Sequence, residues 1–282
     1  MCRHLAYLGP PATLRSLLCD PPHGLATQSW APRRQRHGTV NVDGFGVGWY
    51  APGDPEPARY RRAGPVWADP SFADLARVTR SGAVLAAVRS ATPGTEPGEA
   101  AAAPFAAGRW LFSHNGVLAG WPAAATGLAA ALPPADLIAL PARSDSALLW
   151  ALTAARLTAG ATPGEALAGT LADLAAQRLD GRFNFLLTDG ETVAATAAGD
   201  TLCYRAGPGQ VLVASEPGDD EPGWAEVPDG SLLEATAAGV RVTPLGAWPG
   251  EPGTQCSPET TAETLTQAAG TGLAAANGRR SY

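Results

Sequence analysis

An α+β protein with two sheets stacked face to face and helices outside is what this sequence predicts. Three observations carry the prediction. Short apolar strand patterns fill residues 1–114 and recur from 182 to 243, two helical stretches separate these strand-rich halves, and Gly and Pro punctuate the chain throughout. At 282 residues with 45% hydrophobic content, the chain can bury one main core.

The elements follow in order. Leu5, Tyr7 and their neighbours alternate as a strand beginning at the N-terminus, and Pro10-Pro11 should end it before a helix over 12–19. Residues 20–41 read as a loop carrying the run Arg33-Arg34-Gln35-Arg36-His37, either a solvated surface or an anion-facing one. In Asp43 to Tyr50 the spacing is GxGxG with no helix after it, a poor phosphate-loop match; Phe45, Val47 and Trp49 alternate with glycines instead. That predicts a strand whose glycines admit a close backbone or ligand. A partner strand is expected over 58–62, a helix over 70–78, and a buried strand over 83–88 ending at Arg89.

A further strand over 109–114 runs into Asn115-Gly116. These two residues are either a tight turn, or an amide and a backbone N–H that converge on a developing oxyanion. His114 beside them is a candidate base or a structural histidine. Ser144-Asp145-Ser146 opens a helix through Arg156, and a second covers about 163–177. Strands are then expected over 182–188, 191–197, 201–204, 211–214, 231–235 and 240–243, and a disordered tail over 250–282, leaving 2–249 as the domain.

The most unusual position is Cys2. If Met1 is removed, one residue carries a thiol and a free α-amine that titrates at about 8, so nucleophile and base share a residue. The net charge of −6, with every basic side chain an arginine, speaks against a nucleic-acid partner. No apolar run has the length of a signal peptide or membrane span, so a cytoplasmic protein is expected. The four cysteines, at 2, 19, 203 and 256, show no metal spacing, and neither metal nor cofactor is called for. The sequence is compatible with a homo-oligomer.

Together, the N-terminal Cys2, Arg89-Ser90-Ala91-Thr92 after a buried strand, His114-Asn115-Gly116 and the Ser144-Asp145 helix start resemble, in order and spacing, the class II glutamine amidotransferase domains of the N-terminal nucleophile hydrolases. The resemblance spans about the first 245 residues and implies a four-layer α-β-β-α sandwich of two antiparallel sheets, with the nucleophile on the first strand. Longer segments look most like the branch that hydrolyses the γ-glutamyl amide of γ-glutamyl-hercynylcysteine sulfoxide in ergothioneine biosynthesis. They are Cys2-Arg3-His4, Gln28 with Ala31 to Gln35, Asn41 to Trp49, Ala86 to Thr92, Ser113 to Gly116, Gly199 to Leu202 and Ala214 to Pro217.

Carried over, the resemblance implies Cys2 as nucleophile with its amine as base, and Asn115 and Gly116 as oxyanion donors. Arg89 and Thr92 would hold the α-carboxylate of a small γ-glutamyl substrate, and Asp145 its α-ammonium. Pro93 stands where better-known relatives have His, which puts one carboxylate contact in question. Trp30, Trp49 and Asp43 are candidates for the trimethylammonium end of the substrate, or else core aromatics and a turn. With no ammonia-using module expected after residue 245, a free-standing amidohydrolase is the expectation. The rivals are a glutaminase subunit feeding a separate synthetase, a silent binding protein that retains Met1, and, more distantly, bile-salt hydrolase-like enzymes.

Overall fold

The structure, a computed structural model, describes residues 2–246. The expected boundary at 249 and the tail 250–282 lie outside the described residues. The chain order is β1 (Arg3–Thr13), α1 (Leu14–Leu18), α2 (Leu25–Gln28), β2 (Phe45–Trp49), β3 (Ala58–Arg62), α3 (Pro70–Val78), β4 (Arg80–Val88), β5 (Phe105–Ala107) and β6 (Trp110–Leu118). There follow α4 (Thr126–Ala129), α5 (Pro134–Ile138), α6 (Asp145–Thr158), α7 (Pro163–Ala176), β7 (Gly181–Thr188), β8 (Val193–Ala197), β9 (Cys203–Gly207), β10 (Gln210–Ala214), β11 (Trp224–Glu226), β12 (Ser231–Thr236) and β13 (Gly239–Pro244).

Two antiparallel sheets result, ordered β11-β9-β10-β1-β4-β2-β3 and β13-β12-β8-β7-β6-β5. The two-residue side-chain period sorts each strand between two layers. On β1, Ala6 and Leu8 face the second sheet and pack with Leu85, Leu111, Leu186 and Val213. Leu5 and Tyr7 face outward, with Val84 and Val88, onto Leu14, Leu25 and Phe72 of the first three helices. On the other outer face, Phe112, Phe183 and Phe185 pack under Leu148, Leu152, Leu167 and Leu171 of α6 and α7. This is the α-β-β-α sandwich expected.

Local chemistry sets the long helices. Ser144 caps α6 by accepting from the Ala147 amide, and Thr162 with Glu165 forms a capping box on α7, with Pro163 at its first position.

Several boundaries differ from expectation. β1 continues through Pro10-Pro11 to Thr13, because its ladder with β10 ends at Leu8 and the one with β4 is irregular between Leu8 and Ala12, where no amide donor is required. The helix expected over 12–19 shortens to α1, capped by Thr13. The largest difference is at Asn115-Gly116, which is no turn: both residues lie inside β6, paired with Asn184 and Phe183 of β7. A Cβ on Gly116 would stand 1.8 Å from the Arg182 carbonyl oxygen, so glycine serves close strand approach there.

Candidate active site

Continuing the β1–β4 register one pair past Arg3–Val88 sets Cys2 opposite Arg89. The Cys2 thiol is half-buried, and its Sγ lies 3.7 Å from the Ser90 carbonyl oxygen. Burial pushes this thiol up from its ordinary value, and the Arg89 guanidinium counters part of that rise.

Arg89 is 7% exposed. Its Nη1 donates to the Asp43 carbonyl at 3.3 Å, and its Nη2 to Thr95 Oγ1 at 3.0 Å and the Glu96 carbonyl at 3.4 Å. Thr95 Oγ1 donates to the Thr92 carbonyl, and Thr92 Oγ1 donates to Asp145 Oδ2 at 3.1 Å. Asp145 is 1% exposed and also accepts from the Leu118 amide at 3.0 Å and its own neighbour's Ser146 amide at 2.8 Å. The first turn of α6 favours this carboxylate through the helix dipole. Among the described residues, neither Arg89 nor Asp145 has an oppositely charged side chain within 4.0 Å. A buried cation and a buried anion are thus joined through two threonines, each without a counter-charge, an arrangement whose charges are complementary to those of a zwitterion.

The loop that carries Thr92 and Thr95 is clamped by arginines. Arg59 donates to the Pro104 carbonyl, and Arg61 to the Ala100 and Ala102 carbonyls. The glycines of β2 admit this loop: a Cβ on Gly46 would lie 2.3 Å from the Ala103 carbonyl oxygen. The close approach expected of these glycines is made by backbone at Gly46 and by the Leu111 side chain at Gly48, where a Cβ would lie 2.6 Å from Leu111 Cδ1.

Asn115 is fully buried; its Nδ2 donates to Ser215 Oγ at 3.4 Å, and its Oδ1 has no partner. His114 sits between Ser146 Oγ, 3.0 Å from Nδ1, and the Arg182 carbonyl, 2.9 Å from Nε2, and stacks on Phe183. The carbonyl demands a proton on Nε2, which leaves Nδ1 to accept from the serine. Burial holds this imidazole below its ordinary value, and with both ring nitrogens engaged its contacts match the structural one of the two readings left open by sequence. His4 links the sheets through Ser113 Oγ at 3.2 Å and is likewise held neutral by burial, well below the ordinary imidazole range.

Arg3, fully buried, points away from the thiol side of β1. Its Nε donates to Gln35 Oε1 at 3.3 Å, and its Nη2 lies 3.9 Å from Asp200 Oδ1. Glu216 receives the Arg33 and Arg34 amides at 2.9 and 2.7 Å. The arginine run is thus solvated only in part: the Arg33 and Arg34 side chains pair with Asp220 and Glu226 at the surface, while Gln35 turns inward.

Of the three residues expected at the trimethylammonium end, Asp43 lies beside Arg89 and braces the loop, accepting from the Ala91 amide at 2.7 Å. Trp49 is not brought there. It sits at the far end of β2, opposite Val84, about 13 Å along the strand from Phe45, and packs on the outer core. Trp30 is 47% exposed and meets Trp67, 49% exposed, edge to face with ring centroids 5.4 Å apart. Sequence reasoning missed Thr95 and Ser215 as neighbours of Arg89 and Asn115, and Trp67 as the partner of Trp30. Their approach depends on loop packing rather than on any local pattern.

Among the described residues, no group of three or more His, Cys, Asp or Glu could hold a metal ion, and no helix is long and apolar enough to cross a membrane.

The model of the family "Glutamine amidotransferases class-II" matches residues 13–210. A γ-glutamyl-hercynylcysteine sulfoxide hydrolase of Mycolicibacterium smegmatis is 43% identical over 247 residues, covering 87% of this chain and all of that protein. A protein of the same name from Mycobacterium tuberculosis is 42% identical, with 87% and 97% covered. Among solved structures, a glutamine aminotransferase class-II domain protein from Silicibacter pomeroyi superposes with a TM-score of 0.64 at 27% identity, covering 87% of this chain and 100% of that one. The glutamine phosphoribosylpyrophosphate amidotransferase of B. subtilis shares the fold, with a TM-score of 0.62 at 17% identity over 87% of this chain and 49% of that one. The family model over most of the described chain, and relatives matched along nearly their whole length, show that this chain belongs to the class II glutamine amidotransferases.

Proposed function

We propose that the chain hydrolyses the γ-glutamyl amide of γ-glutamyl-hercynylcysteine sulfoxide, releasing glutamate and hercynylcysteine sulfoxide. The observation that carries the γ-glutamyl half is the Arg89–Thr95–Thr92–Asp145 chain beside Cys2, with opposite buried charges at its two ends. A glutamyl α-carboxylate and α-ammonium complement those charges. The names of the relatives over 247 matched residues support the choice of leaving group.

In this reading Met1 is removed and the α-amine of Cys2 takes the thiol proton. The sulfur attacks the γ-carbonyl, and charge on the tetrahedral oxygen is met by the free Asn115 Nδ2–H and the Gly116 N–H. The Cys2 ammonium then protonates the leaving cysteinyl nitrogen, and water releases glutamate from the thioester. The trimethylammonium end has no hydrogen-bond donor and suits the open faces of Trp30 and Trp67. A cytoplasmic enzyme without a cofactor fits the free thiols of Cys2, Cys19 and Cys203.

The test is a comparison of kcat/KM for γ-glutamyl-hercynylcysteine sulfoxide and glutamine, alongside the mass of the mature protein. Preferred turnover of the sulfoxide by a protein lacking Met1 is expected. Preference for glutamine would make the chain a glutaminase, and an active protein that retains Met1 would overturn the amine-base mechanism.

A further inference from the structure

Ser215 follows the last residue of β10 and lies opposite His4, one pair past Leu5–Ala214. Its amide donates to the His4 carbonyl at 3.0 Å, as an antiparallel ladder requires. The return bond is replaced. The His4 amide donates to Ser215 Oγ at 3.0 Å, while the Ser215 carbonyl has turned away to accept from Thr201 Oγ1 at 2.8 Å. A side-chain hydroxyl thus stands in a ladder position, and the same oxygen receives Asn115 Nδ2 from the opposite sheet at 3.4 Å. Both Ser215 and Asn115 are fully buried, and Asn115 Oδ1 has no partner, so nothing on the oxygen side orients the amide.

We propose that Ser215 is the positioning residue of the oxyanion hole, using one hydroxyl to couple the nucleophile strand to the Asn115 amide. The two N–H bonds of a primary amide diverge by a fixed angle. Anchoring one on Ser215 Oγ directs the other, and because that oxygen is also held by the His4 amide, the donor is set relative to Cys2, two residues away. The inference rests on the reading of Asn115 as oxyanion donor. The bond it describes matters when charge develops on the substrate oxygen, so its loss should act on kcat and leave ground-state binding intact.

Steady-state kinetics of the full chain test this with the γ-glutamyl substrate. Ser215→Ala is expected to lower kcat about tenfold or more with KM within about twofold, less than the loss for removing a donor outright. Ser215→Thr, which keeps the hydroxyl, should recover most of that loss. An unchanged kcat in Ser215→Ala, a KM that rises as much as kcat falls, or a threonine variant no better than alanine would each overturn the proposal. If Ser215→Ala does not fold, Ser215→Cys carries the test on the same split between kcat and KM, with the same outcomes. Full activity in Asn115→Ala would instead remove the oxyanion reading itself, a result separable from any Ser215 outcome.

Discussion

The two ends of the β1–β4 pair are built from the same strands and differ in what they leave unpaired. At the Tyr50 end a cavity of about 670 Å³ opens, lined by Gly9, Tyr50, Pro52, Gly82 and Gly190 among others. There the polar groups are matched: Tyr50 Oη donates to the Arg109 and Thr188 carbonyls at 2.8 and 2.9 Å, and Arg109 pairs with Asp189 at 3.0 Å. At the Cys2 end, Arg89 and Asp145 keep buried charges without counter-charges, and the Asn115 oxygen, His4 Nε2 and Arg3 Nη2 have no hydrogen-bond partner. Unmatched polar groups are the ones a substrate can complete, so polarity points to the Cys2 end while cavity volume points to the other.

Perturbing the two ends should separate them. Cys2→Ala is expected to abolish turnover, by about 10⁴-fold or more, while γ-glutamyl binding persists by calorimetry; measurable catalysis would move the nucleophile elsewhere. Arg89→Lys keeps the charge but loses the planar fork, so KM should rise about tenfold or more with a smaller change in kcat. An unchanged KM would take the carboxylate away from Arg89. Smaller still, Trp67→Ala should raise KM about two- to fivefold for the trimethylated substrate and leave an analogue with a plain amine at that end unaffected. Equal effects on both substrates would make the tryptophan pair a packing feature. At the opposite end, Tyr50→Phe should leave kcat/KM at its starting value and lower unfolding stability by about 1 kcal/mol in denaturant titrations. Lost activity there would erase the contrast between the ends.

Much of this organisation is legible in the sequence. The strand alternation of Phe45, Val47 and Trp49 and the cap at Ser144 are local signals with local causes, and both elements form as expected. Cys2, Arg89, Thr92 and Asp145 are marked by motif order, and three of them stand at one end of β1 and β4 with Asp145 joined through Thr92. Asn115-Gly116 was legible as a pair but not as mid-strand, since a Gly after Asn carries a turn signal that pairing with Asn184 and Phe183 overrides. Trp49 lies at the end of β2 away from Arg89, which could not be read from sequence because alternation gives a strand's faces and says nothing of its ends.

Residue types and order by themselves determined the sandwich and singled out Cys2 as the candidate nucleophile and Arg89 and Asp145 as charges that suit a γ-glutamyl group. Only tertiary structure decided that Ser215 meets both His4 and Asn115, that Thr95 links Arg89 to Thr92, and that Trp67 rather than Trp49 stands beside Trp30. Each of the first depends on one segment's own pattern. Each of the second needs atoms from separate segments of the chain to meet within a few ångströms, which is fixed by packing two sheets and their loops around a shared core.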